Sequence, residues 1–596
     1  MANSLVSYDG LESYYNDDDE YNGILSSEAS NIYLNSDISS MFSNSSMLNL
    51  DLQQFSSELK MDYVTNMMST FFECSYITGS PISGPNVTDM ESTYYDCWAI
   101  SGDAVCGPNV TSMYQTYANC WNLTGSPVCG PNVTDMGWTY ADCGNLSGNP
   151  VCGNNVEYMV CTYMNCCNLT GEPVCGPNVT SMINTYYDCY NLTGNPVCGD
   201  NVTDMTYTYY NCQSLTGSPA CGNNVEYMEY VYYNCTSLTG NPACGDNVTG
   251  MQYTYYNCYN LTGEPICGNR VSNMTHTYAY CSSISGNPVC GNNVINMCST
   301  FEHCSSLTGS PVCGNEVRDM SYAYIQCTRI SGNPVCGPDV RNMAYTFEGC
   351  RALTGTPVCG NNVLDMEATY DECYNLTGSP VCGNKVTTMY RTYLFCTNLT
   401  GSPVCGPNVT NLNSTYYNCR SLTGSPVCGD KVTDMQAAYN MCYNLTGNPA
   451  CGDNVIKFIN TYQNCKGLTG EPVCGNNVNS MYCAYRNCTN LTGNPACGPN
   501  VTNMVYTYFD CPNLYGDMYI PYTKSTLSSD INMHMCFFNR NNQNRLNIHV
   551  VNGYAYHNWL YNRGTPQTAS SVSWTNMSDG FYNEAINIYV YTNLTV

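Results

Sequence analysis

Residues 120–142 read CWNLTGSPVCGPNVTDMGWTYAD, and Cys143 opens the next copy of the same pattern. With Cys120 as position 1, glycine occupies positions 6 and 11, valine 14, methionine 17 and an aromatic residue 21. Cysteine recurs at position 1 every 23 residues, twenty times without a slip from Cys74 to Cys511. An uninterrupted repeat predicts one supersecondary unit that stacks on its own copies.

A second series of eighteen cysteines, at position 10, runs from Cys106 to Cys497. A 23-residue unit is shorter than helical-pair repeats, which need more than about 30 residues. The Gly-bounded stretch 125–130 is typical of a short extended strand, whereas positions 14, 17, 21 and 24 are spaced like one face of a helix. We therefore predict a β-rich solenoid of about 20 rungs with irregular caps, each rung holding one short strand and one short helical or 3₁₀ segment.

The constant positions should face the interior, because one rung has no core of its own and the core is a column of identical side chains. Valine occupies position 14 in all twenty units, from Val64 to Val501. The predicted core ladder of the quoted unit is Cys120, Cys129, Val133, Met136, Tyr140 and Cys143.

The pattern C-x-x-L-T-x-x-x-[VI]-…-V-T-x-[MI]-x-x-x-[AT]-[YF]-x-x-C spans about residues 38–511 and resembles the BspA-like, or Treponema-type, leucine-rich repeat. Residues 64–67 (VTNM) are similar to a related bacterial form of that repeat. The strand departs from the family, which prefers I-x-I-P where this chain has P-V-C-G. The resemblance implies a leucine-rich-repeat-like solenoid, of the kind encoded by phages and prophages of gut bacteria.

The ends lack the strict repeat. Residues 1–37 form an acidic, polar arm, and residues 38–73 an N-terminal capping rung with the first irregular repeat. Residues 74–511 are the regular solenoid. In residues 512–596, three strand-like runs (518–520, 546–551 and 586–591) predict a β-rich C-terminal cap, since terminal repeats need atypical caps to close the core.

The composition excludes several functional classes. Of 596 residues, 45 are acidic and 17 basic, which gives a net charge of -28. Nucleic acid is not expected as a partner, because phosphate binding requires concentrated lysine and arginine. No stretch approaches the ~18 consecutive apolar residues of a membrane span, and the start of the chain lacks the basic and apolar regions of a secretory signal, so neither membrane insertion nor signal-directed export is expected.

The 43 cysteines allow two interpretations. We favour free, stacked thiols, since a buried thiol behaves as a small hydrophobe. Equivalent Cα atoms of adjacent rungs should lie ~5 Å apart, which leaves disulfides, such as one between positions 1 and 10, as the alternative. The chain has no CxxC pair and only five histidines, so zinc is disfavoured and no cofactor is expected.

Two other tempting motifs are interpreted as structural. Sequons such as Asn86-Val87-Thr88 would be glycan acceptors in a secreted eukaryotic chain, but their middle residue is one that should face inward, and Asn and Thr are turn formers. A glycosylated extracellular fibril protein therefore stays a second alternative. No P-loop, GxSxG or HExxH motif occurs, and the histidines have no partner at a recognisable spacing, so we predict no enzyme.

The excess of tyrosine, 55 residues, is the feature that points to binding. Positions 18, 19 and 22 carry further aromatic residues beside the core position 21. Tyrosine supplies rigid contact area with a polar tip, which suits carbohydrate or protein surfaces, and the alternative is packing between neighbouring rungs or chains. The candidate binding residues are Tyr207, Tyr210, Tyr227, Tyr230 and Tyr233.

We therefore predict a non-enzymatic structural or adhesive surface protein. A phage virion component (fibre, head decoration or tail appendage) is favoured over an exported BspA-like adhesin by the absence of a recognisable signal. Its expected partners are host-surface carbohydrate or protein, and other virion proteins or a second copy through the terminal caps.

Overall fold

A computed structural model describes residues 36–45, 50–521, 533, 535–538 and 545–551, and four further strands at Leu5–Val6, Ile32–Leu34, Val572–Ser573 and Ile586–Tyr591. Two compact units emerge: Met1–Asn296 with Thr300–Leu307, and Met297–Ser299 with Thr308–Val596. Within each unit the 23-residue repeats stack as rungs, so the predicted leucine-rich-repeat-like solenoid is confirmed. The acidic run at 17–20 lies outside the described residues.

The first unit begins with a small parallel sheet. Strands β1 (Leu5–Val6), β2 (Ile32–Leu34) and β3 (Leu59–Lys60) pair in that order. Helix α1 (Leu52–Glu58) precedes β3 directly. Its N-cap Asp51 accepts a 2.8 Å hydrogen bond from the backbone N–H of Gln53. This helix supplies Phe55, which packs edge-on against the first rings of the internal aromatic column.

Position 16 of the rungs carries isolated parallel β-bridges to neighbouring rungs. In the first unit Asp135 bridges Ser112 on one side and Tyr158 on the other. In the second unit Asn411 bridges Asp434 in the same way. The prediction that the strand occupies positions 6–11 was therefore wrong in location, since these inter-rung bridges form at position 16, directly before the turn segment, rather than in the Gly-bounded stretch.

The helical segment predicted after position 14 is a succession of tight turns. Thr139 N–H donates to Met136 O at 3.2 Å within its rung, whereas Met136 N–H donates to Tyr158 O of the next rung at 3.0 Å. Left-handed φ values of 58° at Trp138 and 61° at Asp142 interrupt any continuous helix. The backbone therefore alternates between bonds within a rung and bonds to its neighbour, and the helical spacing of the sequence reflects only which side chains face inward.

The backbone of the Gly-bounded stretch forms hydrogen bonds with a side chain. Val128 N–H donates to the Tyr140 hydroxyl at 3.0 Å, and the same hydroxyl donates to Val128 O at 2.8 Å. This pair recurs along both units, as for Val404 and Tyr416. A tyrosine hydroxyl can donate and accept at once, so it satisfies both backbone groups that a strand neighbour would otherwise take.

The core consists of columns of equivalent side chains. Cys120, Val133, Met136, Tyr140 and Cys143 are all fully buried. The position-21 rings stack on their neighbours, with centroids 5.5 Å apart for Tyr117 and Tyr140. Columns of this kind give each rung the apolar contacts that it lacks alone.

Cys129, predicted to belong to the core ladder, is only half-buried. The reason is that position-10 sulfurs lie over the backbone of the next rung's glycine: a Cβ on Gly130 would come within 2.7 Å of Cys106 Sγ. The position-1 thiols are enclosed instead, and Cys120 Sγ donates to Tyr94 O at 3.0 Å. Cys120 and Cys129 are both free thiols.

The second unit ends in a four-stranded sheet. Strands β4 (Gly516–Pro521), β5 (Leu546–Val551) and β7 (Ile586–Tyr591) are parallel, and β6 (Val572–Ser573) pairs antiparallel with β7. The strand order in the sheet is β4-β5-β7-β6. The three strands predicted from the C-terminal sequence are confirmed. Among the described residues, no helix has the length and apolarity to cross a membrane.

Candidate functional site: an aromatic surface on the turn segment

The turn segment projects side chains at positions 19 and 22 outward, next to the buried ring at position 21. In the first unit each of these two positions holds a ring side chain in four consecutive rungs, and the two sets are offset by one rung. We call them the aromatic surface: Tyr187, Tyr207, Tyr210, Tyr230, Tyr233, Tyr253, Tyr256 and His276.

The rings at position 19 form one stacked column. Tyr207 and Tyr230 have centroids 4.7 Å apart, Tyr230 and Tyr253 are also 4.7 Å apart, and Tyr253 stacks on His276 at 4.5 Å. The planes are within 12° of parallel. The left-handed backbone at this position, with φ of 56° at Tyr207, turns each side chain outward in the same direction.

The rings at position 22 form a second column beside the first. The ring centroid of Tyr210 lies 4.6 Å from that of Tyr187 and 4.6 Å from that of Tyr233. The two columns meet through tilted contacts, with 5.8 Å between the centroids of Tyr207 and Tyr210 and 6.0 Å between those of Tyr230 and Tyr233. The eight rings therefore form one continuous patch.

A polar cluster borders one end of the patch. The Tyr280 hydroxyl donates to Glu302 Oε1 at 2.8 Å, and the Tyr280 ring packs edge-on against Tyr256 at 5.5 Å. The hydrogen bond to Glu302 and partial burial raise the pKa of Tyr280 to about 12. His276 Nε2 lies 4.0 Å from Glu302 Oε2, yet burial lowers the pKa of His276, so the ring is neutral at neutral pH.

Burial favours the phenol form of three tyrosines of the surface. Burial raises the pKa of Tyr210 to about 12, with further contributions from neighbouring tyrosines and Asp188. Burial also raises the pKa values of Tyr230 and Tyr256. The hydroxyls of Tyr210, Tyr230 and Tyr256 can therefore both donate and accept hydrogen bonds at physiological pH.

The structure brings together four of the five tyrosines predicted from sequence. Tyr207, Tyr210, Tyr230 and Tyr233 are half-buried members of the two columns. Tyr227 stands apart at position 16, where it is 45% exposed and bridges the adjacent rungs.

The sequence reasoning missed the remaining members of the surface. They are Tyr187, Tyr253, Tyr256 and His276, which occupy positions 19 and 22 of the flanking units. Comparing those two positions across successive units would have found them.

The second unit carries a polar group at the same two positions. Arg391 (position 19) donates from Nη2 to Asp371 Oδ2 (position 22) at 2.6 Å. The Asp371 side chain is almost fully enclosed, and burial raises its pKa to about 7 although Arg391 opposes the shift. Within the described part of the chain, no group of three or more His, Cys, Asp or Glu side chains is arranged to hold a metal ion.

Residues 11–127 match the family model described as "Mycoplasma protein of unknown function, DUF285". No curated protein matches the chain. Because the family match covers a minor part of the chain, it assigns no function.

Solved structures similar to the chain include other leucine-rich-repeat proteins. One is a leucine-rich repeat protein from Bacteroides ovatus, 11% identical, with a TM-score of 0.26 over 71% of this chain and 82% of that one. Another is a leucine-rich cell surface protein from Faecalibacterium prausnitzii, 14% identical, with a TM-score of 0.26 over 52% and 88%. The TLR13–ssRNA13 complex is 10% identical, with a TM-score of 0.19 over 89% and 83%. Values this low carry no argument about what the chain binds, and the class rests on its own geometry: a leucine-rich-repeat solenoid.

Proposed function

We propose that the protein is a non-enzymatic repeat scaffold whose aromatic surface binds a protein on the outside of a host cell. The observation that carries the proposal is the pair of half-buried, mutually contacting ring columns over consecutive rungs. Rigid aromatic side chains with polar tips are the anchors that protein interfaces favour. Backbone hydrogen bonds between rungs hold the columns in place. The binding surface is therefore preorganised, which lowers the entropic cost of binding a partner.

The direction of the rings favours protein over carbohydrate. Each ring within a column lies face to face with its neighbours, for example Tyr210 between Tyr187 and Tyr233. Edges and hydroxyls are therefore what the columns present outward, while ring faces, which would stack on a sugar, are covered by other rings. A surface of apolar edges and neutral hydroxyls suits the mixed apolar and hydrogen-bonding face of a folded protein.

The experiment compares two sets of four substitutions in the full chain. The test variant changes Tyr207, Tyr210, Tyr230 and Tyr233 to serine. The matched control changes four exposed tyrosines of the same unit that lie off the aromatic surface: Tyr63, Tyr76, Tyr158 and Tyr259. Binding of labelled protein to intact gut-bacterial cells is measured for both variants and the parent chain.

We expect the test variant to lose binding and the control to keep it. Protease treatment of the cells should abolish binding, and periodate oxidation should leave it intact. Loss after periodate alone would assign the surface to carbohydrate instead. Equal binding by the two variants would show that the aromatic surface does not contribute to binding.

For location we propose the surface of a phage virion, with an exported bacterial adhesin as the alternative. A net charge of -28 supports an exposed, soluble scaffold that avoids anionic membranes and nucleic acid. We propose that the protein attaches to the particle through residues 1–65 or 512–596. The repeats are uniform, so they offer no distinct segment for attachment. Imaging purified particles with and without the gene product tests this, and covalent attachment to a cell envelope would favour the adhesin.

A further inference from the structure

An exposed aromatic pair lies at position 2 of the first unit, in a different column from the half-buried aromatic surface. The indoles of Trp98 and Trp121 stack with centroids 5.6 Å apart and planes within 8°. They are 44% and 55% exposed. Because Trp98 covers one face of Trp121, the other face of Trp121 points toward the next rung.

That next rung has glycine at position 2. A side chain begun at Gly144 would meet no atom within 4 Å of its first carbon, apart from its chain neighbours. The following member of the column, Cys167, lies one rung further on and is half-buried. The column thus contains a place without a side chain, which we call the Gly144 gap: the space over Gly144 between Trp121 and Cys167.

Elsewhere the same column shows what groups pack against its aromatic rings. In the second unit, Arg351 Cζ lies 5.7 Å from the ring centroid of Tyr374. Arg420 Cζ and Lys466 Nζ lie 5.9 Å and 5.8 Å from the ring centroid of Tyr443, one from each neighbouring rung. In the second unit, Tyr374 and Tyr443 at position 2 therefore each have a cation over the ring, and tryptophan is the strongest ring for this interaction.

A carboxylate is placed to complete the site. The residue two before position 2 accepts hydrogen bonds from the position-2 side chain: Trp98 Nε1 donates to Asp96 Oδ1 at 2.7 Å, and Arg420 Nε donates to Asn418 Oδ1 at 2.8 Å. The residue two before Gly144 is Asp142. Asp142 occupies the repeat position of Asp96 and Asn418. Its Oδ1 accepts from Asn165 Nδ2 at 2.6 Å.

We propose that the Gly144 gap binds the guanidinium group of an arginine carried by a partner protein. The guanidinium would stack on the free face of Trp121 and donate to Asp142, as Arg420 stacks on Tyr443 and donates to Asn418. Arginine matches this geometry because its planar group can stack and donate at the same time. The chain has 45 acidic and 17 basic residues, which further favours a cationic partner.

The probe is the peptide acetyl-Gly-Arg-Gly-amide, titrated into the full chain labelled with 5-fluorotryptophan and observed by fluorine NMR. We expect a saturable shift of the Trp121 resonance, assigned by its absence in Trp121→Phe. The same peptide with neutral citrulline should bind about tenfold more weakly, the effect of losing a cation–π contact and a charged hydrogen bond.

Two variants make the test specific. Gly144→Arg should fill the gap with the chain's own guanidinium and abolish the shift, whereas Gly144→Ala should retain it. Asp142→Asn should weaken binding, and thermal melts check that each variant is folded. Equal affinity for the citrulline or a lysine peptide, or unchanged binding by Gly144→Arg, would overturn the proposal. The outcome is independent of the aromatic surface, since none of its tyrosines is altered.

Discussion

The Tyr140 hydroxyl lies 2.8 Å from the carbonyl oxygen of Val128 and 3.0 Å from its backbone nitrogen, twelve residues earlier in the same rung. In rungs with tyrosine at position 21, one phenol thus joins two parts of the rung and satisfies two backbone groups. The tyrosine column is therefore both the apolar core and the hydrogen-bonding partner of the Gly-bounded stretch.

Removing this hydroxyl should lower the stability of the protein measurably, although only one atom is lost from the side chain. We expect Tyr140→Phe to lower the free energy of unfolding by about 1–3 kcal/mol, because the Val128 N–H and carbonyl lose their partner while the ring still fills the core. Urea unfolding followed by circular dichroism measures the change. The reverse substitution Phe347→Tyr, in a rung that has phenylalanine at position 21, should not destabilise the protein. Equal midpoints for Tyr140→Phe and the parent chain would contradict the role of the hydroxyl.

A charge placed in the valine column should disrupt stacking. Val133 is fully buried, so Val133→Asp puts an unpaired carboxylate in the core and should cost several kcal/mol. Ser126→Asp, at an exposed position of the same rung where the preceding rung has Asp103, is the matched control and should change stability by less than about 0.5 kcal/mol. The thermal midpoint of each variant is the measurement, and similar midpoints for the two would argue against an inward valine column.

Asp371 should give the second unit a pH-dependent stability. Burial raises its pKa to about 7 in the folded chain, against an ordinary value near ~3.9. Between these values the folded protein binds a proton that the unfolded chain has released, so stability should fall as pH rises from about 4 to 7 and then level off. The total fall should be up to about 4 kcal/mol.

The substitution Asp371→Asn should flatten that dependence. Asp339→Asn, at an exposed site, should preserve it. Urea midpoints across the pH range distinguish the two. A slope of the opposite sign, with stability rising toward neutral pH, would show that Arg391 outweighs burial at this carboxyl.

The two cysteine series should differ in reactivity. Cys120 is fully buried, and burial raises its thiol pKa well above the ordinary value, whereas Cys129 is half-buried. Iodoacetamide should therefore alkylate Cys129 of the native protein much faster than Cys120, because the exposed thiolate is the reacting species. Peptide mass spectrometry at successive times gives both rates, and a Cys120–Cys129 disulfide in the non-reduced sample would contradict the free thiols.

The sequence by itself determined the period, the solenoid and the inward columns. A strict 23-residue repeat without insertions admits only stacked, equivalent units, so a constant apolar position such as Val133 or Met136 has to form a column. The columns at positions 19 and 22 were partly visible for the same reason, as an excess of tyrosine near residues 207–233.

The tertiary structure alone decided how each rung is bonded and which outer side chains meet. Helical spacing in the sequence concealed a run of turns, because the left-handed residues Trp138 and Asp142 redirect the backbone without changing which side chains face inward. The partner of Val128 is a hydroxyl twelve residues away, and no local pattern specifies that contact. The open face of Trp121 likewise exists only because stacking places Gly144 beside it, a relation between rungs that the order of residues within one rung does not contain.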